Sequence, residues 1–316
     1  MSVGDCCGAR RDVQGLIQNI IDALSLGSLI ALTALGIGLL FGIMRLINFA
    51  HGDLITIGGY ALIVPSSAAD PTVYIGAWPP IAIIVAVSAI VILFAVACER
   101  LAFRPLRNAN PMALLIASFA VSYFLQNAII MIYGGRPKGV NLWPALGELI
   151  PLGHIRLQLL QLVIIGVTML LLGFLVLFLR RTAIGRHMRA ASEDFMMARF
   201  LGVRANRVIA AAFAISGLLA AVVSMLYVVQ SGTLTYNLGV PLVLSAFVAT
   251  VIGGMGSLVG AVLGGFLVGA ATVFFQVVLP ESVRLDRDAC VFALILLILL
   301  LRPSGIVKVK AVEERI

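Results

Sequence analysis

His51 and Asp53 are the residues whose types and spacing come nearest to proton-transfer chemistry. They flank Gly52, and an imidazole near a carboxylate inside a membrane could relay protons. In the interpretation that we favour, Asp53 instead caps a helix that begins at Leu54, because its side-chain oxygen can accept from the free N–H groups of the first turn. Asn48 would then satisfy backbone groups at the break before that helix.

Hydrolytic and metal chemistry find no support in the sequence. The three histidines offer no convincing nucleophile–histidine pair, and the chain has neither the phosphate loop GxxxxGK[ST] nor the HExxH motif. Cys6, Cys7, Cys98 and Cys290 lack metal-ligand spacing and are interpreted as structural. We therefore expect no catalytic residue, metal or cofactor in this chain. If the protein's activity requires ATP, a separate subunit must hydrolyse it.

The densest charge lies in residues 180–207, the arginine loop, where seven arginines stand against Glu193 and Asp194. A short helix is predicted here, with Ser192 as its N-cap and Gly202 as its terminator. Helical spacing places one set of residues on a common side, and such a ridge on a charged loop indicates a protein contact. The alternative is a basic loop that only orients the protein in the membrane. The set is Glu193, Met196, Met197, Phe200 and Leu201.

Composition excludes a soluble globular protein, because 61% of the 316 residues are hydrophobic and 11% are charged. Several apolar runs reach or approach the ~20 residues that cross a bilayer as a helix, and they lack the alternation of a membrane β-barrel. The predicted class is an all-α polytopic membrane protein. The net charge of +8 fits positively charged inner loops rather than nucleic-acid binding.

Eight or nine transmembrane helices are predicted, and the count depends on whether the short run Leu54–Val64 crosses fully. With the C-terminus inside, eight crossings put the N-terminus inside and nine put it outside. Residues 99–110 and the arginine loop are predicted inside, whereas Gly134–Arg156 and Ser231–Gly239 are predicted outside. Domain boundaries are predicted as a polar N-terminal extension (1–12), one transmembrane domain (13–302) and a cytoplasmic tail (303–316). Glu99 is predicted to pair with Arg100 at the membrane edge.

Two short or broken apolar segments, Asn48–Val64 and Pro241–Gly265, lie in opposite halves of the chain. Paired broken segments in transporters often mark the substrate pathway, which we favour over the alternative of tight helix packing at the glycines. The predicted pathway residues are Asn48, His51, Gly52, Gly58, Gly59, Gly253, Gly254, Gly256 and Ser257.

Four blocks of sequence stand out along the chain: Ile47–Asp53 with Ile57–Tyr60, the arginine-loop residues 185–203, residues 246–265 around Gly253–Ser257, and Arg302–Gly305. Together they resemble the permeases of branched-chain amino acid ABC transporters, and they keep family order over nearly the whole chain. In order and length the chain resembles the H-type permease of Liv systems rather than the longer M-type partner. The Cys6-Cys7 extension matches no pattern of the family.

This resemblance implies a permease of the bacterial inner membrane that imports leucine, isoleucine or valine. Its partners would be a second permease subunit (an M-type paralogue or a homologous copy), two cytoplasmic ATPase subunits that use ATP and Mg²⁺, and an extracytoplasmic binding protein. Residues 190–202 would be the coupling helix that docks on an ATPase. The residues predicted to serve coupling are Arg189, Glu193, Asp194, Met197, Phe200, Leu201 and Gly202.

Three alternatives stay open at this point. Related permeases for urea and short amides share these blocks, so the substrate is not fixed by them. An ion-coupled carrier would need no ATPase and would depend on Asp53 or His51. A membrane scaffold without transport would have no need of two broken segments.

Overall fold

The computed structural model describes residues 3–66, 73, 75–107, 109–147, 149–152, 155–281 and 286–301. Eleven α-helices and four short strands lie within them. The helices are α1 (Val3–Met44), α2 (His51–Tyr60), α3 (Pro80–Cys98), α4 (Pro111–Tyr133), α5 (Leu159–Arg181), α6 (Ala183–Glu193), α7 (Phe195–Phe200), α8 (Ala205–Ser231), α9 (Val240–Gly253), α10 (Leu258–Val278) and α11 (Arg287–Leu301). The strands are β1 (Lys138–Gly139), β2 (Leu149–Leu152), β3 (Ile155–Gln158) and β4 (Thr233–Leu234).

Six helical segments in the described residues are long and apolar enough to cross a membrane, which confirms the all-α polytopic class. The apolar helices α2, α9 and α11 are shorter, at 10, 14 and 15 residues. Whether eight or nine segments cross stays a prediction. The six segments are Gly15–Met44, Pro80–Phe103, Pro111–Tyr133, Leu159–Arg181, Ala205–Ser231 and Leu258–Val278.

The centre of the molecule is formed by α1, α2 and α8, with α9 and α10 packed against them. α1 contacts α5, α8, α9 and α10, and its most apolar stretch is 83% buried, against 17% for that of α4. All ten residues of α2 are buried. The helices α3, α4 and α5 therefore form the rim of the helix bundle. Most of their apolar side chains lie outside the protein core, where they contact lipid or a partner.

Glycines bring the backbones of α1, α9 and α10 into direct contact. A β-carbon on Gly253 would lie 2.0 Å from the carbonyl oxygen of Gly260, and one on Gly264 would lie 2.0 Å from that of Ala249. Gly269 approaches Gly27 of α1 just as closely, since its added β-carbon would be 2.4 Å from the Gly27 backbone. Small residues permit such approaches between membrane helices, where dispersion contacts drive association.

The connecting segments gather at two ends of the helix bundle. At the inner face, defined as the end that carries the arginine loop, Arg45 after α1 lines one cavity with Arg107 and Arg199. At the outer face β1 pairs antiparallel with β4, and Lys138 Nζ donates a hydrogen bond to the Ser66 carbonyl oxygen. The loops predicted to share the outside are thus neighbours in the fold.

Two expectations about the connections need correction. The predicted loop over residues 134–156 carries the β2–β3 hairpin, and Leu157 belongs to β3, so α5 begins at Leu159. Glu99 forms its ion pair with Arg107 rather than Arg100, because a π-helical turn over Glu99–Phe103 extends α3 and the chain then turns back. The predicted tail, 303–316, lies outside the described residues.

Candidate coupling surface and transport segments

The arginine loop folds into two helices, α6 and α7, instead of the single short helix that was predicted. Asp194 separates them in an extended conformation (φ −143°, ψ 105°). Thr182 caps α6, since its Oγ1 accepts a hydrogen bond from the Gly185 N–H at 3.0 Å. The loop is therefore a helix–break–helix unit between α5 and α8.

Asp194, and not Ser192, is the N-cap of α7. Its Oδ1 accepts from the backbone N–H groups of Met196 and Met197 at 2.9 and 3.0 Å. The Ser192 hydroxyl lies within α6 and donates to the Arg189 carbonyl oxygen at 2.7 Å. The prediction for Ser192 was wrong because the chain leaves helical geometry two residues later, where only the Asp194 side chain can reach the free N–H groups.

Gly202 ends α7 as the sequence predicts. Its φ is +87°, a left-handed conformation that favours glycine. The Gly202 N–H donates to the Arg199 carbonyl oxygen and the Val203 N–H to that of Ala198, both at 3.0 Å. This pair of bonds is a Schellman motif, which fixes the direction in which the chain leaves α7.

The apolar side chains of α7 project away from the protein. Met196, Met197, Phe200 and Leu201 are 68%, 60%, 80% and 85% exposed, whereas Ala198 is buried and anchors the helix. We call these four residues the α7 ridge. Arg189 and Glu193 are exposed on α6, so the prediction that Glu193 shares one helix side with the ridge was wrong.

The first broken segment enters the bundle through an irregular stretch and then forms α2. The helix begins at His51, because the His51 and Gly52 N–H groups donate to the carbonyl oxygens of Asn48 and Phe49 at 3.3 Å. Asp53 therefore lies inside the helix, where its carboxylate caps nothing. The capping prediction for Asp53 was wrong because the turn at residues 48–50 already supplies the first bonds.

His51 and Asp53 point to different neighbours. His51 Nδ1 lies 3.0 Å from Ser216 Oγ on α8, and that hydroxyl donates to the Gly36 carbonyl oxygen of α1 at 3.2 Å. The Asp53 carboxylate faces Ser122 and Gln126 on α4. Since residues two positions apart on a helix do not face each other, the two side chains do not form a relay pair.

The glycines of α2 lie at close helix contacts. Gly52 meets the backbone of Gly239, for a β-carbon on Gly239 would be 2.0 Å from the Gly52 carbonyl oxygen. Gly58 and Gly59 lie against α8, where an added β-carbon on Gly58 would be 2.7 Å from Ser224 Oγ. The structure thus gives these glycines a packing role, and their part in a pathway stays a prediction.

The second broken segment turns between α9 and α10. Gly254 and Gly256 have φ of 103° and 95°, and Ser257 Oγ caps α10 by accepting from the Gly260 N–H at 3.0 Å. Asn48, at the start of the first broken segment, is buried, and its Oδ1 has no hydrogen-bond partner among the described residues.

The two broken segments meet inside the molecule. Gly52 of α2 contacts Gly239, which precedes α9, and the Gly239 N–H donates to Thr56 Oγ1 at 3.1 Å. The Phe49 and Phe247 rings lie 5.5 Å apart. The sequence indicated that both segments matter, but only the fold shows that they are neighbours.

An apolar cavity of about 590 Å³ lies between α2, α3 and α4. Tyr60 and Tyr133, whose ring centroids are 4.8 Å apart, belong to its lining together with Leu125 and Ile129. No sequence motif indicated this cavity, because its lining comes mainly from three separate helices.

Comparison with known proteins decides the family. The model of the branched-chain amino acid transport system / permease component family matches residues 19–301. The chain belongs to this family. This permease is 35% identical over 311 residues to the high-affinity branched-chain amino acid transport system permease protein BraD of Pseudomonas aeruginosa, covering 96% of this chain and 99% of BraD.

A second relative agrees with the first. The permease is 35% identical over 310 residues to the corresponding permease protein LivH of Escherichia coli K12, covering 94% of this chain and 97% of LivH. Among solved structures, PsaBC from Streptococcus pneumoniae in complex with Fab has a TM-score of 0.46 at 13% identity and covers 90% of this chain and 91% of that one, too distant for any inference. The permease is a multi-pass protein of the bacterial inner membrane.

Proposed function

We propose that this permease carries leucine, isoleucine and valine across the inner membrane as one subunit of an ATP-driven importer. The family description and both relatives name branched-chain amino acid transport. The observation that carries the ATP-driven part is the α7 ridge, where four large apolar side chains stand uncovered on a charged loop. Exposed apolar surface of this kind marks a protein contact.

The partner on the α7 ridge is, in this proposal, a cytoplasmic ATPase subunit. Two such subunits would bind ATP and Mg²⁺, so this chain would hold no cofactor and catalyse no reaction itself. A second permease subunit, either an M-type paralogue or a homologous copy, would complete the pathway. An extracytoplasmic binding protein would deliver the amino acid to the outer face.

Force would pass from the ATPase to the transport segments through α6 and α7. α7 is held at both ends, by the Asp194 cap and by the Schellman motif at Gly202, so it can move as a rigid unit. α6 contacts α1, α5 and α8, and α1 and α8 enclose His51 of α2. Rigid-body motion of packed helices is the general mode of alternating access.

We also infer nine crossings, with the N-terminal end of α1 outside. α1 ends at the inner face beside Arg107 and Arg199, and its earlier residue Asp22 accepts a hydrogen bond from Gln161 near the start of α5. The segment 45–60 then returns towards the outer face, where residue 63 bridges to residue 73. Cysteine labelling at Gly15 in intact cells would test this arrangement.

The apolar cavity beside α2 supports aliphatic substrates. Its lining contains Ile57, Leu125 and Ile129, and burial of an aliphatic side chain against such residues is favourable by about 25 cal/mol per Å². Urea or a short amide would gain far less there. Transport of urea or short amides is the second candidate, because the sequence blocks are shared with permeases of that kind.

The experiment that tests the proposal replaces two ridge residues, Phe200→Asp with Leu201→Asp, in the assembled transporter. We expect uptake of labelled leucine to fall at least about tenfold, because charged side chains cannot enter an apolar contact. The matched control is Ala183→Asp with His187→Asp, two exposed positions on α6 that also add two carboxylates. Wild-type uptake by the ridge variant would remove the coupling role.

The same cells distinguish the rival functions. Uptake of leucine that fails on ATP depletion but survives a protonophore supports the amino-acid importer. The same energy dependence, observed for uptake of labelled urea alone, would support an ATP-driven importer whose substrate is urea. Uptake that is lost with the protonophore while ATP persists would indicate an ion-coupled carrier.

A further inference from the structure

A second cavity, of about 470 Å³, opens at the inner face and is lined by four guanidinium groups. They come from separate parts of the chain: Arg45 follows α1, Arg104 and Arg107 follow α3, and Arg199 lies on α7. The sequence spreads these arginines over more than 150 positions, so only the fold brings them to one place. We call this cavity the basic pocket.

The charges of the basic pocket are not balanced from within. Arg107 forms an ion pair with Glu99 and donates to Asn206 Oδ1. Among the described residues Arg45, Arg104 and Arg199 have no acidic partner. Three uncompensated like charges around one cavity repel one another, and an anion in the cavity would remove that repulsion.

Arg45 provides independent support, because its backbone is in an unfavourable conformation. Its φ is 53°, in the left-handed region that residues other than glycine seldom adopt. Its N–H still donates to the Phe41 carbonyl oxygen at 2.8 Å and so ends α1, a place where glycine is usual. An arginine at such a position indicates a need for its side chain, which lines the basic pocket.

Apart from Asn206, the remaining walls are apolar, and most of them belong to membrane helices. Ile43 and Met44 end α1, Leu114 lies in the first turns of α4, and Ile209 lies in those of α8. The pocket therefore has one cationic side and one hydrocarbon-like side at the inner surface of the membrane. Basic pockets between helices at this level bind the headgroups of anionic lipids.

We propose that the basic pocket binds a phosphate group, held by Arg45, Arg104 and Arg199. Guanidinium groups form bidentate, charge-assisted hydrogen bonds to phosphate oxygens. A phospholipid of the inner leaflet is the source that the apolar walls favour, since its glycerol and acyl chains would cover Met44 and Leu114. A soluble phosphate compound is the other source with the same chemistry.

Such a phosphate would join two elements that the transport cycle must coordinate. Arg199 belongs to α7, and Arg45 begins the irregular stretch that leads into α2. The bound anion would thus link the docking helix to the first broken segment. Binding itself does not depend on the proposed function, whereas this effect on coupling rests on it.

Lipid binding to the full-length purified permease tests the proposal. Native mass spectrometry would count the phosphatidylglycerol and phosphatidylcholine molecules retained as each lipid is titrated. The pocket variant is Arg45→Gln, Arg104→Gln, Arg199→Gln. The control variant is Arg180→Gln, Arg181→Gln, Arg186→Gln, which removes the same charge from exposed positions of the arginine loop. Arg199→Gln alone, on a short exposed helix, is the version least able to disturb folding.

We expect the pocket variant to bind phosphatidylglycerol at least about tenfold more weakly than the control variant, and Arg199→Gln to show a smaller loss in the same direction. Phosphatidylcholine binding should differ little between variants. If inorganic phosphate displaces the retained lipid at millimolar concentration or binds in its place, the phosphate site stands and its source is soluble.

Equal phosphatidylglycerol binding by pocket and control variants, with no phosphate effect, would overturn the proposal. The same is true if the pocket variant retains lipid normally but fails to assemble with its ATPase, because the arginines would then contact acidic side chains of that partner. None of these readings uses transport, so failure of the proposed importer function would be seen separately.

Discussion

The glycine contacts between α9 and α10 and the α7 ridge differ in how completely the chain covers its own residues. In the first region backbones touch, and Gly253 leaves no room for even a methyl group. In the second, Phe200 and Leu201 are 80% and 85% exposed and touch little of their own chain. The first region is complete within this chain, whereas the second is, in our proposal, completed only by a partner.

The comparison separates two kinds of sensitivity to substitution. Changes among the packed glycines should alter the stability of the permease, and uptake only as a result. Changes on the α7 ridge should alter uptake without affecting stability. Stability and uptake are measured independently, so each prediction below can contradict this distinction between the glycine contacts and the α7 ridge.

The largest stability effect is expected for Gly253→Ala. The new β-carbon would lie 2.0 Å from the Gly260 carbonyl oxygen, so α9 and α10 would have to separate, at a cost of about 3 kcal/mol. Thermal unfolding of the purified protein measures the loss. Gly173→Ala is the matched control, since nothing lies within 4 Å of its added β-carbon, and it should change stability by less than about 1 kcal/mol. Equal behaviour of the two variants would contradict the packing role.

A smaller and different effect is expected for Asp194→Ala. Loss of its two hydrogen bonds to the Met196 and Met197 N–H groups removes about 1 kcal/mol from α7 alone. Leucine uptake should fall a few-fold while the unfolding temperature of the whole permease stays unchanged. Ser192→Ala is the control, because the Ser192 hydroxyl bonds only within α6. If Ser192→Ala were the more harmful change, our assignment of the cap would fail.

The smallest effect is expected for Asp53→Asn. The two carboxylate oxygens have no hydrogen-bond partner among the described residues, and the amide has nearly the same shape and no charge to bury. Uptake and its resistance to a protonophore should both persist. An uptake defect in a variant of normal thermal stability would give Asp53 a functional charge and revive the ion-coupled carrier.

Much of the fold follows from the sequence because membrane helices are recognised from continuous apolar runs, which are local features. The apolar runs that predict the membrane class are observed as helices, such as α4, which begins at Pro111, and α1, which ends at Met44. Gly202 was identified as a helix terminator because left-handed backbone has few other candidates. These features depend on neighbouring residues alone.

The features that the sequence could not supply depend on where the chain bends and on which helices then meet. Ser192 and Asp194 are both good caps, and the choice between them follows from where the chain bends. The ion pair of Glu99 with Arg107 needs the turn after α3. Likewise, the packing partners of Gly52 and Gly264 lie on other elements of the fold. The residues next to these glycines in sequence do not predict those partners.

The pairing of β1 with β4 makes the two ends of the permease mechanically unequal. Together with the hydrogen bond from Lys138 to Ser66, this strand pair links three outer connections. The outer ends of α4 and α8 can therefore move only together. At the opposite end, α6 and α7 are joined to their neighbours through Thr182 and the residues after Gly202. If an ATPase pushes on α7, as we propose, the helices would pivot about their linked outer ends and move furthest at the inner face.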